Sequence, residues 1–409
     1  MVDLINIIPT DIWSQLFNMV LWIFVLGFAL PKLIVYQMMV KLENATLKLE
    51  SMSNKARKMV IKKISKKPTK KLENEVESFM EFFAISPVDM DPYGIMKKFE
   101  FLVDQQKQRF KYFVEQIAPD LDEEERADIM MGLSGSMSLY QITKIVRHFL
   151  ELTRKTKSQY YAMILQMQLP LIERIAKSLM KGTEAFTNGW MIGDTIGPFT
   201  VANFIGDSKI EEGDEDTVYA NKEYKDRDII VIKAKGPGGR TGNPGRLLEK
   251  LAKKEKISKI ITIDAAAKLE GEETGTIAEG VGVAMGGIGV EKDYIENVAV
   301  KNKIPFDSII VKMSQEEAIM PIKKPILESK SKVLEILDKT IERTDKKGKI
   351  VLIGVGNTSG VGNDKKAADK AEKEMKKVLK KLEKKRREKK KKFKWPFSIS
   401  LPMLNFKWS

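Results

Sequence analysis

Residues 12–31, IWSQLFNMVLWIFVLGFALP, contain no charged side chain. Twenty such residues in a helix extend about 30 Å, the thickness of bilayer hydrocarbon. In lipid the backbone must satisfy its own polar groups, and within one segment only a helix does this. The run therefore predicts one transmembrane helix; the competing reading is a buried core helix. Trp13, Trp22 and Tyr36 suit the two interfaces. Asp3 and Asp11 stand before the run without any Lys or Arg, whereas Lys32, Lys41, Lys48, Lys55, Arg57 and Lys58 follow it. The positive-inside rule then puts the N-terminus outside and the bulk of the chain in the cytoplasm, single-pass in the cell membrane. A cleaved signal peptide would need a basic start and a small-residue cleavage site, and neither is evident.

The rest of the 409 residues divides by pattern. Residues 1–37 form the anchor. Residues 38–91 read as a Lys-rich helical linker, with a hinge at 65–71 around Pro68. Residues 92–187 carry apolar positions at helical spacing and read as an all-α region, with Pro170 as a kink. From 188 to 384 the pattern alternates short apolar strands with helices. The strands are DIIVIK at 228–233, a run ending IITIDA, SIIVKM at 308–313 and KIVLIGVGN at 349–357. Continuous apolar strands separated by helices imply a three-layer α/β domain whose sheet is mostly parallel.

Composition narrows the chemistry. The chain has no Cys and one His, so disulfides, thiolate catalysis, Cys zinc sites and multi-His metal sites are all disfavoured. His148, between Arg147 and Phe149, reads as a helix-packing residue. Asp and Glu remain for acid–base work, and neither a metal nor a cofactor is expected. The acids Glu270, Glu272, Glu273 and Glu279, in and beside GEETGTIAEG, read as a solvated loop, with a divalent-metal site as the alternative.

Two acids stand out. Asp194 lies on NGWMIGDTIGPFTVANFIGD, residues 188–207, between Gly193 and Gly197, with Pro198 opening a helix. Asp264 ends the strand IITIDA. Ligands in open parallel sheets bind at the carboxyl ends of strands, where Gly354, Gly356 and Asn357 also fall. Two carboxylates meeting in a partly dry site do not both ionise, so one residue type supplies an acid and a base. Such a pair activates water against an amide. The plainer alternative makes Asp194 a capping residue and Asp264 a turn residue. Arg240, in the loop GPGGRTGNPG at 236–245, is a candidate for a substrate carboxylate, or else belongs to a plain surface loop.

IITIDA, the Gly-rich GVGVAMGGIGVEKDYIE that follows it, the next strand and MSQEEAIMPI together resemble the spore germination protease family. In that family a GxGN turn leads to a loop with Asp and then Gly-Pro, and a second Asp ends a later strand before Ala. The resemblance covers about residues 188–362 and implies that Asp194 and Asp264 are the catalytic acids. It also implies that Gly193, Gly197, Gly354, Gly356 and Asn357 shape the substrate site. The related hydrogenase-maturation endopeptidases share the frame but use a metal-ligating His, which this domain lacks. Here GVGN stands at 354–357, after the Asp loop, an order that a circular permutation produces. The whole chain also resembles a family of uncharacterised archaeal membrane-anchored proteins, which implies cytoplasmic placement.

The expected function is a membrane-tethered peptidase-like hydrolase acting on a protein or peptide. The alternative is a non-catalytic scaffold. Residues 364–394 hold seventeen Lys or Arg against six Asp or Glu, and an aromatic segment follows from Phe393. The basic aromatic tail, 385–409, is read as binding anionic lipid, binding RNA or the ribosome, or remaining solvated.

Overall fold

The uncharged run is helical. A computed structural model describes residues 10–82, 95–282 and 289–392. Helix α1 spans Thr10–Phe24, a π-helical turn follows at Val25–Ala29, and α2 runs Leu30–Ile64. Phe17 and Trp22 are exposed, with none of the other described residues covering them. By length and composition this helix, from Ile12 onward, can cross a membrane.

Its second half belongs to a bundle. Leu42, Leu49, Met52 and Ala56 recur every three, four or seven residues and so share one stripe. That stripe is buried against Leu139, Val146 and Leu150 of α5 (Glu123–Thr156) and Leu165 and Ala176 of α6 (Gln159–Thr187). Residues 38–64, expected as linker, are thus a core helix of the bundle. The break does fall around Pro68. Thr69 caps α3 (Lys70–Met80) by accepting the Leu72 N–H at 3.2 Å. Phe79 of α3 stacks on Phe113 of α4 (Ile95–Ile117), ring centroids 3.9 Å apart. Asp122 caps α5 by accepting the Glu125 N–H at 2.8 Å. His148 is exposed on α5 and packs nothing in the interior, contrary to expectation, because the buried stripe passes through Val146 and Leu150 instead.

The remaining elements build one seven-stranded sheet: β1 (Ile210–Asp214), β2 (Thr217–Glu223), β3 (Asp228–Ala234), β4 (Ile257–Ala267), β5 (Ile277–Val281), β6 (Phe306–Met313) and β7 (Lys349–Gly354). Their order is β1-β2-β3-β7-β4-β6-β5. Strands β3, β7, β4 and β6 are parallel, while β1, β2 and β5 pair antiparallel at the two edges. The sheet is therefore mixed, a correction to the mostly parallel sheet expected. The strands IEEGD and IAEGV hold no fully buried residue and TVYANKE is buried only in its first half, so none of them has the continuous apolar run that marks the inner strands.

Successive residues of the inner strands point to opposite faces. Ile229, Val231, Ile261, Ile263 and Leu352 pack under α7 (Ile196–Ile205), α12 (Lys330–Glu342) and α13 (Lys365–Lys392). Ile230, Ile232, Ile260 and Val351 pack under α8 (Pro244–Ala252) and α9 (Gly289–Asn302). Each of these buried side chains contributes roughly 1.5–3 kcal/mol relative to exposure. Strand β7, last in sequence, is central. Two short helices, α10 (Gln315–Ile319) and α11 (Lys324–Glu328), follow β6. The tail from 393 and the Gly-rich residues 283–288 lie outside the described residues.

Candidate active site

The site forms where β7 ends beside β4, which runs on to Ala267, so Asp264 lies within its strand and does not end it as expected. Ile263 of β4 lies opposite Gly354 of β7, and the Val355 N–H donates to the Ile263 carbonyl at 2.9 Å. Ile261 and Ile263 face α7, so alternation turns Asp264 toward α9, where it is 3 % exposed. Asp194 arrives from the opposite side on a 3₁₀ turn, Gly193–Thr195, that leads straight into α7. The first turn of α7 lies against the strand ends. A Cβ on Gly197 would stand 2.2 Å from the Val355 carbonyl oxygen and 2.5 Å from that of Ile263. At Gly356 φ is +129°, and a Cβ there would come 2.2 Å from the Asp194 carbonyl oxygen. These two glycines let the Asp194 loop touch the strand ends. The Asn357 N–H then donates to Asp194 Oδ2 at 2.8 Å. Asp194 and Asp264 both line one cavity of about 690 Å³.

The charges at this cavity oppose one another. Lys292, in the first turns of α9, holds Nζ 3.1 Å from Asp264 Oδ2. Burial pushes the Asp264 carboxyl up to about 7; Lys292 pulls it down and Asp194 pushes it further up. Burial also raises Asp194, against the Asn357 N–H and the Lys292 charge. Part of the Asp194 surface stays open, but it opens only into the recess between the strand ends and the bundle. Asn357 Oδ1 accepts the Ser359 N–H at 2.9 Å, which fixes the orientation of the amide. Its Nδ2 is then a buried donor without a hydrogen-bond partner among the described residues. An acid pair, a cation and an open N–H donor thus line or adjoin one water-sized-to-ligand-sized space, a set suited to polarising a carbonyl and moving a proton.

Two family models match the chain: the DUF1512 N-terminal domain, described as a protein of unknown function, over residues 16–189, and the DUF1512 C-terminal domain, of unknown function, over residues 192–362. The chain belongs to the DUF1512 family. No curated protein and no solved structure matches it. The cavity lies between the two DUF1512 domains. The N-terminal domain supplies a wall that includes Met131, Leu179, Gly182 and Phe186, and the C-terminal domain supplies the charged floor. The domains are tied by ion pairs, among them Arg246 with Glu100 at 2.8 Å and Arg174 with Glu316 at 2.6 Å.

Of the residues singled out from sequence, Asp194, Asp264, Gly356 and Asn357 line the cavity of this DUF1512 chain. Gly193, Gly197 and Gly354 do not; each lies where a neighbouring backbone or side chain leaves no room for a Cβ. Arg240 is also outside the cavity. It is 5 % exposed and pairs with Glu124, with Glu123 at 3.2 Å and with Asp216 at 3.2 Å. Its charge is spent on holding the domains together, so it is not free for a substrate carboxylate. Glu272 of the acidic loop pairs with Lys312. Among the described residues no group of three or more His, Cys, Asp or Glu is placed to hold a metal. Lys292 was missed. The available signal was a lone cation just beyond a Gly-rich segment, at the start of a helix that follows the Asp264 strand.

Proposed function

We propose that this chain is a membrane-tethered hydrolase of the peptidase type, in which Asp194 and Asp264 share one proton and activate water against an amide carbonyl. The observation that carries the reading is that two aspartates from distant parts of the chain line one recess with raised proton affinity. The pair titrates as a unit. Its ionised member takes a proton from water as the water oxygen attacks the carbonyl carbon. Its protonated member donates to the carbonyl oxygen or, later, to the departing nitrogen. The Asn357 Nδ2–H and the Lys292 ammonium stabilise the charge that develops on oxygen. The apolar wall from the bundle excludes bulk water and strengthens these interactions.

The likeness to a permuted germination-protease frame is supported by the position of GVGN. It ends the central strand and its Asn357 N–H binds Asp194. The span at Ile12 and the lysines after it support a cytoplasmic domain held at a membrane. In the full-length chain, Asp194→Asn and Asp264→Asn should each lower hydrolysis of a peptide library by about 10²–10⁴-fold while circular dichroism stays unchanged. Turnover retained in both variants would remove the reading. A second reading is favoured by α13, whose exposed end at 383–388 is basic: a non-catalytic scaffold docking on anionic lipid or RNA. It takes over where the wild-type chain turns over no peptide and binds either polyanion through residues 385–409.

A further inference from the structure

Helix α6 carries apolar side chains on two sides. Ala162 and Leu165 are buried against α2 and α5. On another side Tyr160, Met163, Ile164 and Met167 stand at helical spacing and face outward, Tyr160 63 % exposed, Met163 50 % and Met167 71 %. A water-facing helix normally carries polar residues there.

The depth of this stripe follows from three ion pairs. Arg154 bonds Glu43 at 2.7 Å and Arg147 bonds Glu50 at 2.6 Å, so α5 runs antiparallel to α2 in fixed register. Lys48 bonds Glu173 at 2.8 Å, so α6 runs alongside α2 with residue 173 level with residue 48. Counting back at equal rise puts Tyr160 level with Val35 and Met163 level with Met38. That is where the apolar part of α2 ends. Exposed Lys155 and Lys157, at the end of α5 and in the turn that leads to α6, lie by the same register level with residues 42 and 40 of α2, just beyond Met163, and no acid lies between Leu152 and Tyr160.

We propose that the α5–α6 turn is a second membrane contact, in which Tyr160 and Met163 enter the interfacial layer of an anionic bilayer and Lys155 and Lys157 meet its headgroups. The proposal rests on the reading of residues 12–31 as a span. The headgroup layer adds about 5–8 Å on each side of the hydrocarbon, enough to reach the level of Tyr160, about 6 Å beyond residue 31, with Met163, about 10 Å beyond it, at the outer edge of the layer. Tyrosine suits that layer because its ring is apolar and its hydroxyl stays wet. Each lysine near the surface adds attraction to anionic lipid. Two contacts on one rigid bundle fix its tilt; one helix alone leaves the bundle free to swing.

The absence of Cys permits a direct test. Single variants Trp22→Cys, Tyr160→Cys, Met163→Cys and Lys66→Cys of the full chain carry an environment-sensitive fluorophore. They are reconstituted in vesicles of phosphatidylcholine and phosphatidylglycerol bearing spin-labelled lipids. Labels at 160 and 163 should shift to the blue and lose most of their emission to headgroup-proximal spin labels, while the label at 66 does not. Labels at 160 and 163 that stay water-like while 22 is quenched would overturn the contact and leave the span standing. Shielded labels at 160 and 163 that lipid spin labels do not quench would overturn it in favour of a second copy on that face. A label at 22 that is not quenched would bring down the span and the contact together.

Discussion

At the scale of single residues, Asp264 ties stability to pH. Its folded-state proton affinity is raised to about 7 from an ordinary carboxyl value of 3.8, chiefly by burial. Between those values the folded state binds the proton and the unfolded state does not. Stability therefore falls as pH rises from about 4 to about 7 and is level above that. Asp128, buried on α5 beside the Gly239 N–H and also raised to about 7, acts in the same window and direction. Lys233, lowered to about 7 by burial, acts only above 7, where stability rises with pH toward the ordinary lysine range. The contribution of Asp264 is isolated by a variant. Urea unfolding at pH 5 and pH 8 should show the wild type losing up to roughly 2.5 kcal/mol more than Asp264→Asn across that interval. Equal losses in the two proteins would mean that burial does not hold the proton on Asp264.

At the scale of elements, the joint between α7 and the ends of β4 and β7 sets the site. Pro198 opens that helix as its place in the sequence suggests, but Gly197 decides how closely the helix approaches. Gly197→Ala puts a methyl group against two backbone carbonyls that serve the strands, and neither can yield without moving a central strand. The expected cost is about 3 kcal/mol or more, read as a lower urea midpoint, with loss of the Asp194–Asn357 contact. A change below about 0.5 kcal/mol would show that the helix can lift freely, and the geometry at Asp194 would then not depend on this joint. The edge strands were hidden in the sequence for an elemental reason. A strand with one wet face alternates polar and apolar residues over only five to seven positions, too short a stretch to separate from a polar loop.

At the scale of the whole molecule, the cavity exists only where the two domains meet. Arg240 is the most buried link between them, gripping Glu123 and Glu124 at the start of α5 from a loop of the sheet domain. Arg240→Ala should cost roughly 2–4 kcal/mol, less than a fully buried pair because Glu123 remains largely exposed. The loss should appear in thermal unfolding as an earlier separation of the helical from the α/β region; a single unshifted transition would deny Arg240 this role. The bundle also sets a height. By the same helical register Gly182, in the cavity wall, lies about 33 Å along α6 from Tyr160. On the proposed membrane reading, the cavity stands in water, well above the bilayer surface.

The sequence alone determined what depends on local pattern. An uncharged run longer than three helical turns has to be a helix, apolar strands such as IITIDA have to be inner strands, and a Gly-Asp-x-x-Gly-Pro stretch has to be a tight turn into a helix. Those patterns were enough to single out Asp194, Asp264 and Asn357, because strand order places the ends of inner parallel strands together. What the sequence could not determine depends on partners distant in the chain. Arg240 looked free for a ligand because its three carboxylate partners lie up to 117 residues away. Residues 38–64 looked like a helical linker because the helices that bury Leu42 and Leu49 begin at Glu123 and Gln159, far along the chain. Lys292 looked like any surface lysine until folding brought α9 over the end of β4. Charge pairing and burial are properties of the assembled surfaces, so only the tertiary structure decides which charges are spent on holding the fold and which remain for chemistry.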